Sequence, residues 1–135
     1  MIDYSRYPRP ESIDFFEKAM HQHDKVIHLR KISDYYYEVI REDMLPVKVL
    51  VTNYYTVGLA NVQEILSDYK DIDCIVTISN WNGYTQEAQD WGTSHHVGVF
   101  KMDEFMGALN VSEPYRYLRP KDREDNSEYP WRSAR

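Results

Sequence analysis

A chain of 135 residues, 42% of them hydrophobic, has room for one domain of ordinary size with a buried core. No apolar run nears the roughly 20 residues that cross a bilayer, and Met1-Ile2-Asp3-Tyr4-Ser5-Arg6 lacks the basic start and apolar stretch of a secretion signal, so the expectation is no membrane partner and a cytoplasmic address. A formal charge of −6 argues against a non-specific nucleic-acid binder, which must neutralise phosphates, although a local basic groove stays open.

The acidity sits in the body: residues 1–110 hold 10 Lys/Arg against 17 Asp/Glu, and residues 111–135 hold 6 against 5. Pro8 and Pro10 mark residues 1–10 as an N-terminal arm. Ile13, Phe16 and Met20 then recur at i, i+3 and i+7, one face of a helix with acids near its N-terminal end. Lys25–Leu29 and Tyr35–Ile40 read as strands, and Pro46–Thr52, rich in β-branched residues, as a third. Leu59, Val62, Ile65, Leu66 and Tyr69 return to helical spacing. Asp73–Ser79 is almost continuously apolar, as in a strand covered on both faces, and Cys74 within it reads as a buried structural thiol. Asn80 to Gly83 is turn chemistry, Thr85 is placed to cap a helix over Gln86–Trp91, Val97–Phe100 is a strand, and Asp103 is placed to cap Glu104–Leu109.

The order is α-β-β-β-α-β-α-β-α. It predicts an α/β domain over residues 11–111, with a mixed sheet of about five strands flanked by helices: an antiparallel meander first, parallel pairing through crossovers later. Residues 112–135 are charged and turn-rich and read as a polar tail.

Four stretches carry a resemblance within that order. They are Val51-Thr52-Asn53-Tyr54-Tyr55-Thr56-Val57-Gly58, Ile75-Val76-Thr77-Ile78-Ser79, Gly83-Tyr84-Thr85-Gln86-Glu87-Ala88 and Val97-Gly98-Val99-Phe100. Residues 49–110 thereby resemble the core of the Mrr-type restriction endonuclease family, which implies a restriction-endonuclease-like fold. Nucleases of this type need a carboxylate on one strand and Glu-x-Lys or Gln-x-Lys on the next, the acids holding a hard divalent cation and the lysine assisting the attacking water. Alignment from the Tyr-containing turn puts Leu50 and Thr52 at the second motif, and Tyr37 near the first carboxylate. The resemblance thus implies the scaffold without its catalytic motif, and a fold does not by itself fix an activity.

A relocated site is the alternative. Lys48 shares a strand face with Leu50 and Thr52, a bulge would turn Glu38 inward, and Glu17 on the first helix would add a carboxylate; Mg²⁺ is implied only under this alternative. The bland counterpart is a solvated charged face. Elsewhere, His21 and His23 point apart on a helix and His95 and His96 are adjacent, so no structural metal site is expected, and no glycine-rich phosphate loop is present. The loop Ser79–Tyr84 offers Trp81 and Tyr84 as stacking rings and Asn82 as a hydrogen-bonding group for a base or a protein partner, with turn formation as the plain alternative. Tyr35-Tyr36-Tyr37 alternates faces, so an exposed aromatic face would suit a homodimer. Tyr115–Lys121 interleaves aromatic and basic residues, suited to nucleic acid or an acidic protein. The sequence therefore points to a non-catalytic recognition or interaction module, linked to nucleic acid or to a protein partner, with Tyr37, Thr52, Trp81, Asn82 and Tyr84 as binding candidates and no cofactor. A metal-dependent nuclease and a homodimeric structural protein are the alternatives.

Overall fold

Proline starts the first helix. In the computed structural model, which describes residues 4–119, α1 spans Pro10–Gln22 with Pro10 at a position where a missing N–H costs nothing. Phe16 and Met20 of its apolar stripe are buried. Three strands follow as a meander: β1 (Val26–Ser33), β2 (Tyr36–Arg41) and β3 (Met44–Thr52), paired antiparallel in that order. A short β4 (Thr56–Val57) leads into α2 (Leu59–Asp68), and β5 (Cys74–Thr77) returns parallel to β3. Next come β6 (Gly83–Tyr84), parallel to β4, then α3 (Gln86–Ser94), β7 (Gly98–Lys101) parallel to β5, and α4 (Met102–Ala108).

The result is a five-stranded mixed sheet in the order β1-β2-β3-β5-β7, with a two-stranded β4-β6 sheet beside it. The expected α/β class, meander and parallel crossovers are all present; the small second sheet was not expected. Thr85 caps α3 as its position suggests, its Oγ accepting from the Ala88 N–H at 3.0 Å. For α4 the cap differs: the helix opens two residues earlier, at Met102, and Glu104 accepts from the Lys101 N–H at 2.9 Å.

Strand alternation divides the core in two. Tyr37, Val39, Val47, Val49, Val51, Cys74 and Val76 pack against Phe16, Met20 and Phe105 on the α1/α4 face. Tyr36, Leu50, Ile75 and Val99 pack with Val62, Ile65 and Ala88 on the α2/α3 face. β5 is buried at all four positions, as its apolar run implies, and burial raises the Cys74 thiol pKa. No helix among the described residues is long and apolar enough to cross a membrane.

Both ends fold back onto this body. Asn53 takes the arm in two places, its N–H donating to the Arg6 carbonyl at 2.8 Å and its side-chain amide to the Tyr4 carbonyl at 2.7 Å. At the other end, the described part of the polar stretch is docked. Pro114–Arg116 form a 3₁₀ turn with Pro114 buried, and the Tyr117 ring lies edge-on to Phe100 at 6.0 Å. Gly107 admits this contact, since a Cβ there would lie 2.7 Å from the Tyr117 hydroxyl. The guanidinium of Arg41, 3% exposed, gathers the chain between body and 3₁₀ turn by donating to the carbonyls of Leu45, Leu109, Val111 and Ser112 at 2.7–3.1 Å. The carbonyls of Leu109, Val111 and Ser112 follow the C-terminal end of α4, so backbone dipoles rather than a carboxylate accept these bonds. Residues 120–135, the rest of the predicted tail, lie outside the described residues.

Candidate binding site

The positions where the nuclease resemblance expects its motif fall on two faces. Tyr37 points to the α1/α4 face, and its hydroxyl donates to Glu17 Oε2 at 2.7 Å. Burial and this bond to a carboxylate raise the Tyr37 pKa far above its ordinary value. Its cross-strand partner is Val49, with Val51 further along the same face. Leu50 lies on the opposite face, and alternation places Lys48 and Thr52 with it. Tyr37 therefore lies across the sheet from Leu50, Lys48 and Thr52, as strand alternation predicts. Glu38 and Lys48 share the α2/α3 face, whereas Glu17 lies with Tyr37 on the other.

The relocated trio does not assemble. Glu38 sits opposite Lys48 in the β2–β3 register, but its carboxylate is taken by Arg30 at 2.8 Å. Lys48 Nζ turns instead towards Asp71, 3.9 Å away. The backbone N–H of Lys48 donates to Asp73 Oδ2 at 2.9 Å, which extends the β3–β5 pairing. Burial raises the Asp73 pKa, and the Lys48 N–H partly offsets that. Arg30, Glu38, Lys48 and Asp71 thus form a row of alternating charge across the strands, an arrangement that contributes modestly at a partly exposed surface. Glu17, on the other face, is bonded to Tyr37. The donor set does not fit one Mg²⁺ ion, because a sheet separates its two carboxylates. Among the described residues, no group of three or more His, Cys, Asp or Glu side chains is arranged to hold a metal.

The Trp81 loop is likewise split. Trp81 is 83% exposed and borders a shallow groove with Phe15 and Ser79. Asn82 is buried, its amide donating to Asn53 Oδ1 and Thr77 Oγ1, both at 3.0 Å, so it ties the turn down rather than offering a free group. Tyr84 packs on the α2/α3-face cluster and its hydroxyl bonds both Glu104 carboxylate oxygens at 2.9 Å. The two rings do not form one stacking platform. In the tyrosine run, Tyr36 is 8% and Tyr37 1% exposed, each covered by the chain's own elements, and Tyr35 is half-buried.

A different site opens on the α2/α3 face at the end of β3. Leu50, Val51, Thr52 and Ile65 border a cavity of about 150 Å³ whose other walls are Arg6, Tyr7, Tyr35, Tyr54, Asp68 and Tyr69. Thr52, one of the sequence candidates, belongs here, with its hydroxyl donated to the Val76 carbonyl at 3.0 Å. Tyr7 stacks on Tyr35 with ring centroids 5.3 Å apart, and Tyr36 packs against Tyr69 at 4.6 Å. The Arg6 guanidinium lies 5.2 Å from the Tyr7 ring centroid and 6.0 Å from that of Tyr54. Desolvation raises the pKa of Tyr35, Tyr54 and Tyr69, so their hydroxyls stay protonated at neutral pH. Tyr35 occupies this wall with φ 67, a left-handed backbone uncommon for a bulky residue, held where its carbonyl accepts from the Val51 N–H at 2.8 Å. Sequence reasoning missed this cluster because Arg6, Tyr35, Tyr54 and Tyr69 come from four separate segments. The available signal was 12 tyrosines in one chain.

Comparison with known proteins finds no matching family model, no similar curated protein and no similar solved structure.

Proposed function

We propose that this chain is a non-catalytic recognition module on a restriction-endonuclease-like scaffold, acting in the cytoplasm and binding through the tyrosine-lined cavity at the end of β3. One observation carries the reading: where a nuclease of this kind would present acids and an ammonium group, β3 presents Leu50 and Thr52 to an aromatic cavity. The cavity has the character of a binding site, with aromatic and apolar side chains beside polar groups at fixed positions. The separation of Glu17 from Glu38 and the pairing of Glu38 with Arg30 supply no metal-activated water. Purified protein incubated with plasmid DNA and Mg²⁺ or Mn²⁺ should leave the supercoiled form intact. Nicking or linearisation that disappears in Lys48→Ala would overturn the reading in favour of the relocated nuclease.

A further inference from the structure

We infer that the cavity at the end of β3 binds a pyrimidine nucleotide, its single ring between the tyrosines and its phosphate on Arg6. The inference rests on the recognition-module reading and names its ligand.

Size sets the first limit. An apolar cavity of about 150 Å³ takes one benzene-sized ring, whereas pockets for larger ligands run to several hundred Å³. This cavity is about 150 Å³ and open on one side, so a six-membered ring fills it whereas a fused purine projects from its mouth. Its walls set the second. Four tyrosine rings, Tyr7, Tyr35, Tyr54 and Tyr69, surround the space, with Leu50 and Ile65 behind them. Planar bases stack on such rings whatever their sequence context. The tyrosine hydroxyls and the Asp68 carboxylate supply acceptors for the N3–H of uracil or the amino group of cytosine, and the hydroxyls can donate to a ring carbonyl.

Charge sets the third. Arg6 already spans the Tyr7 and Tyr54 rings, which leaves a fixed guanidinium at the cavity and opposes a cationic guest. None of the ion pairs among the described residues involves Arg6, although the Glu64 and Asp68 carboxylates lie near enough to act on its charge. A guanidinium held in this way suits a phosphate. The acidic body, at −6 overall, disfavours a long polyanion and favours a ligand that brings one or two phosphates. The same chemistry is offered by a free nucleotide and by the unpaired end of a single strand. Asn53 holds the Arg6 carbonyl and the Tyr4 carbonyl, so the arm keeps its place when the Arg6 side chain is removed.

The test is calorimetric titration of the full chain with CMP, UMP, AMP, inorganic phosphate and short oligo(dC) and oligo(dA). CMP or UMP, or oligo(dC) if the source is a strand end, should bind saturably, with the matching purine weaker by about tenfold or more. Arg6→Ala should weaken the pyrimidine ligand about tenfold or more through the lost charge-assisted bond. Tyr54→Leu should do the same through the lost stack; should Tyr54→Leu fail to fold, Asp68→Asn, at an exposed position, takes its place with a smaller expected loss. Phosphate or AMP binding as tightly as CMP, affinity untouched by Arg6→Ala and the second variant, or no saturable binding of any pyrimidine ligand to the folded protein would each overturn the assignment. If pyrimidines fail to bind and plasmid stays uncut, the ligand assignment falls while the non-catalytic reading stands; metal-dependent cutting removes that reading itself.

Discussion

Arg41 and the row Arg30–Glu38–Lys48–Asp71 belong to the same part of the sheet and use the same kinds of group, yet their surroundings give them opposite weight. Arg41 is 3% exposed and closes five hydrogen bonds to carbonyls, two to nearby Leu45 and three to Leu109, Val111 and Ser112, distant in sequence. The row keeps water on most of its side chains, 55% exposed at Arg30, 32% at Lys48 and 82% at Asp71, with Glu38 at 18%. A charge inside the sheet is therefore no sign of catalysis in this chain. Burial and geometry decide whether it is structural, ornamental to stability or able to do chemistry.

The comparison can be broken first at its buried side. Arg41→Met should lower the unfolding free energy by about 3–5 kcal/mol, since the carbonyls of Leu109, Val111 and Ser112 lose their donor. Urea denaturation measures this, and a change below about 1 kcal/mol would mean that water replaces the guanidinium easily. Tyr37→Phe comes next, at about 1–2 kcal/mol, because it removes one buried hydroxyl bonded to a half-buried carboxylate. On the exposed side, Lys48→Ala should cost less than about 1 kcal/mol in the same assay. The smallest effect is a pH dependence. The folded-state pKa of Asp73 lies above its ordinary value, chiefly through burial, so the folded chain holds that proton more tightly than the unfolded one. Stability from this group is greatest below the unfolded pKa and falls as pH rises through the folded one. Asp73→Asn keeps an acceptor for the Lys48 N–H and should flatten that fall, seen by comparing urea midpoints at about pH 4 and pH 7.

Local rules made most of the fold legible. Thr85 sat where a cap belongs and caps; the run around Cys74 was apolar on both faces and lies at the centre of the sheet. Where the reading failed, the cause was packing from elsewhere. Tyr36 and Tyr37 promised one exposed aromatic face, but the elements on each side of the sheet cover both. Pro8 is buried, and Pro114 and Tyr117 pack onto the body, although polar, proline-rich flanks read as an arm and a tail. The cavity was the hardest to foresee. Thr52 was singled out for a motif it does not supply, and its true neighbours, Arg6, Tyr35, Tyr54 and Tyr69, share no spacing because the sheet alone brings them together.

Paramagnetic titration with Mn²⁺, followed by two-dimensional NMR, tests the proposed non-catalytic reading most directly. A scaffold whose acids are paired off or lie on opposite faces should show no saturable broadening centred on Glu17, Glu38 or Lys48 at millimolar-free metal. Selective, saturable broadening of Glu38 and Lys48 together, abolished by Glu38→Gln, would contradict it and restore a cation-dependent enzyme.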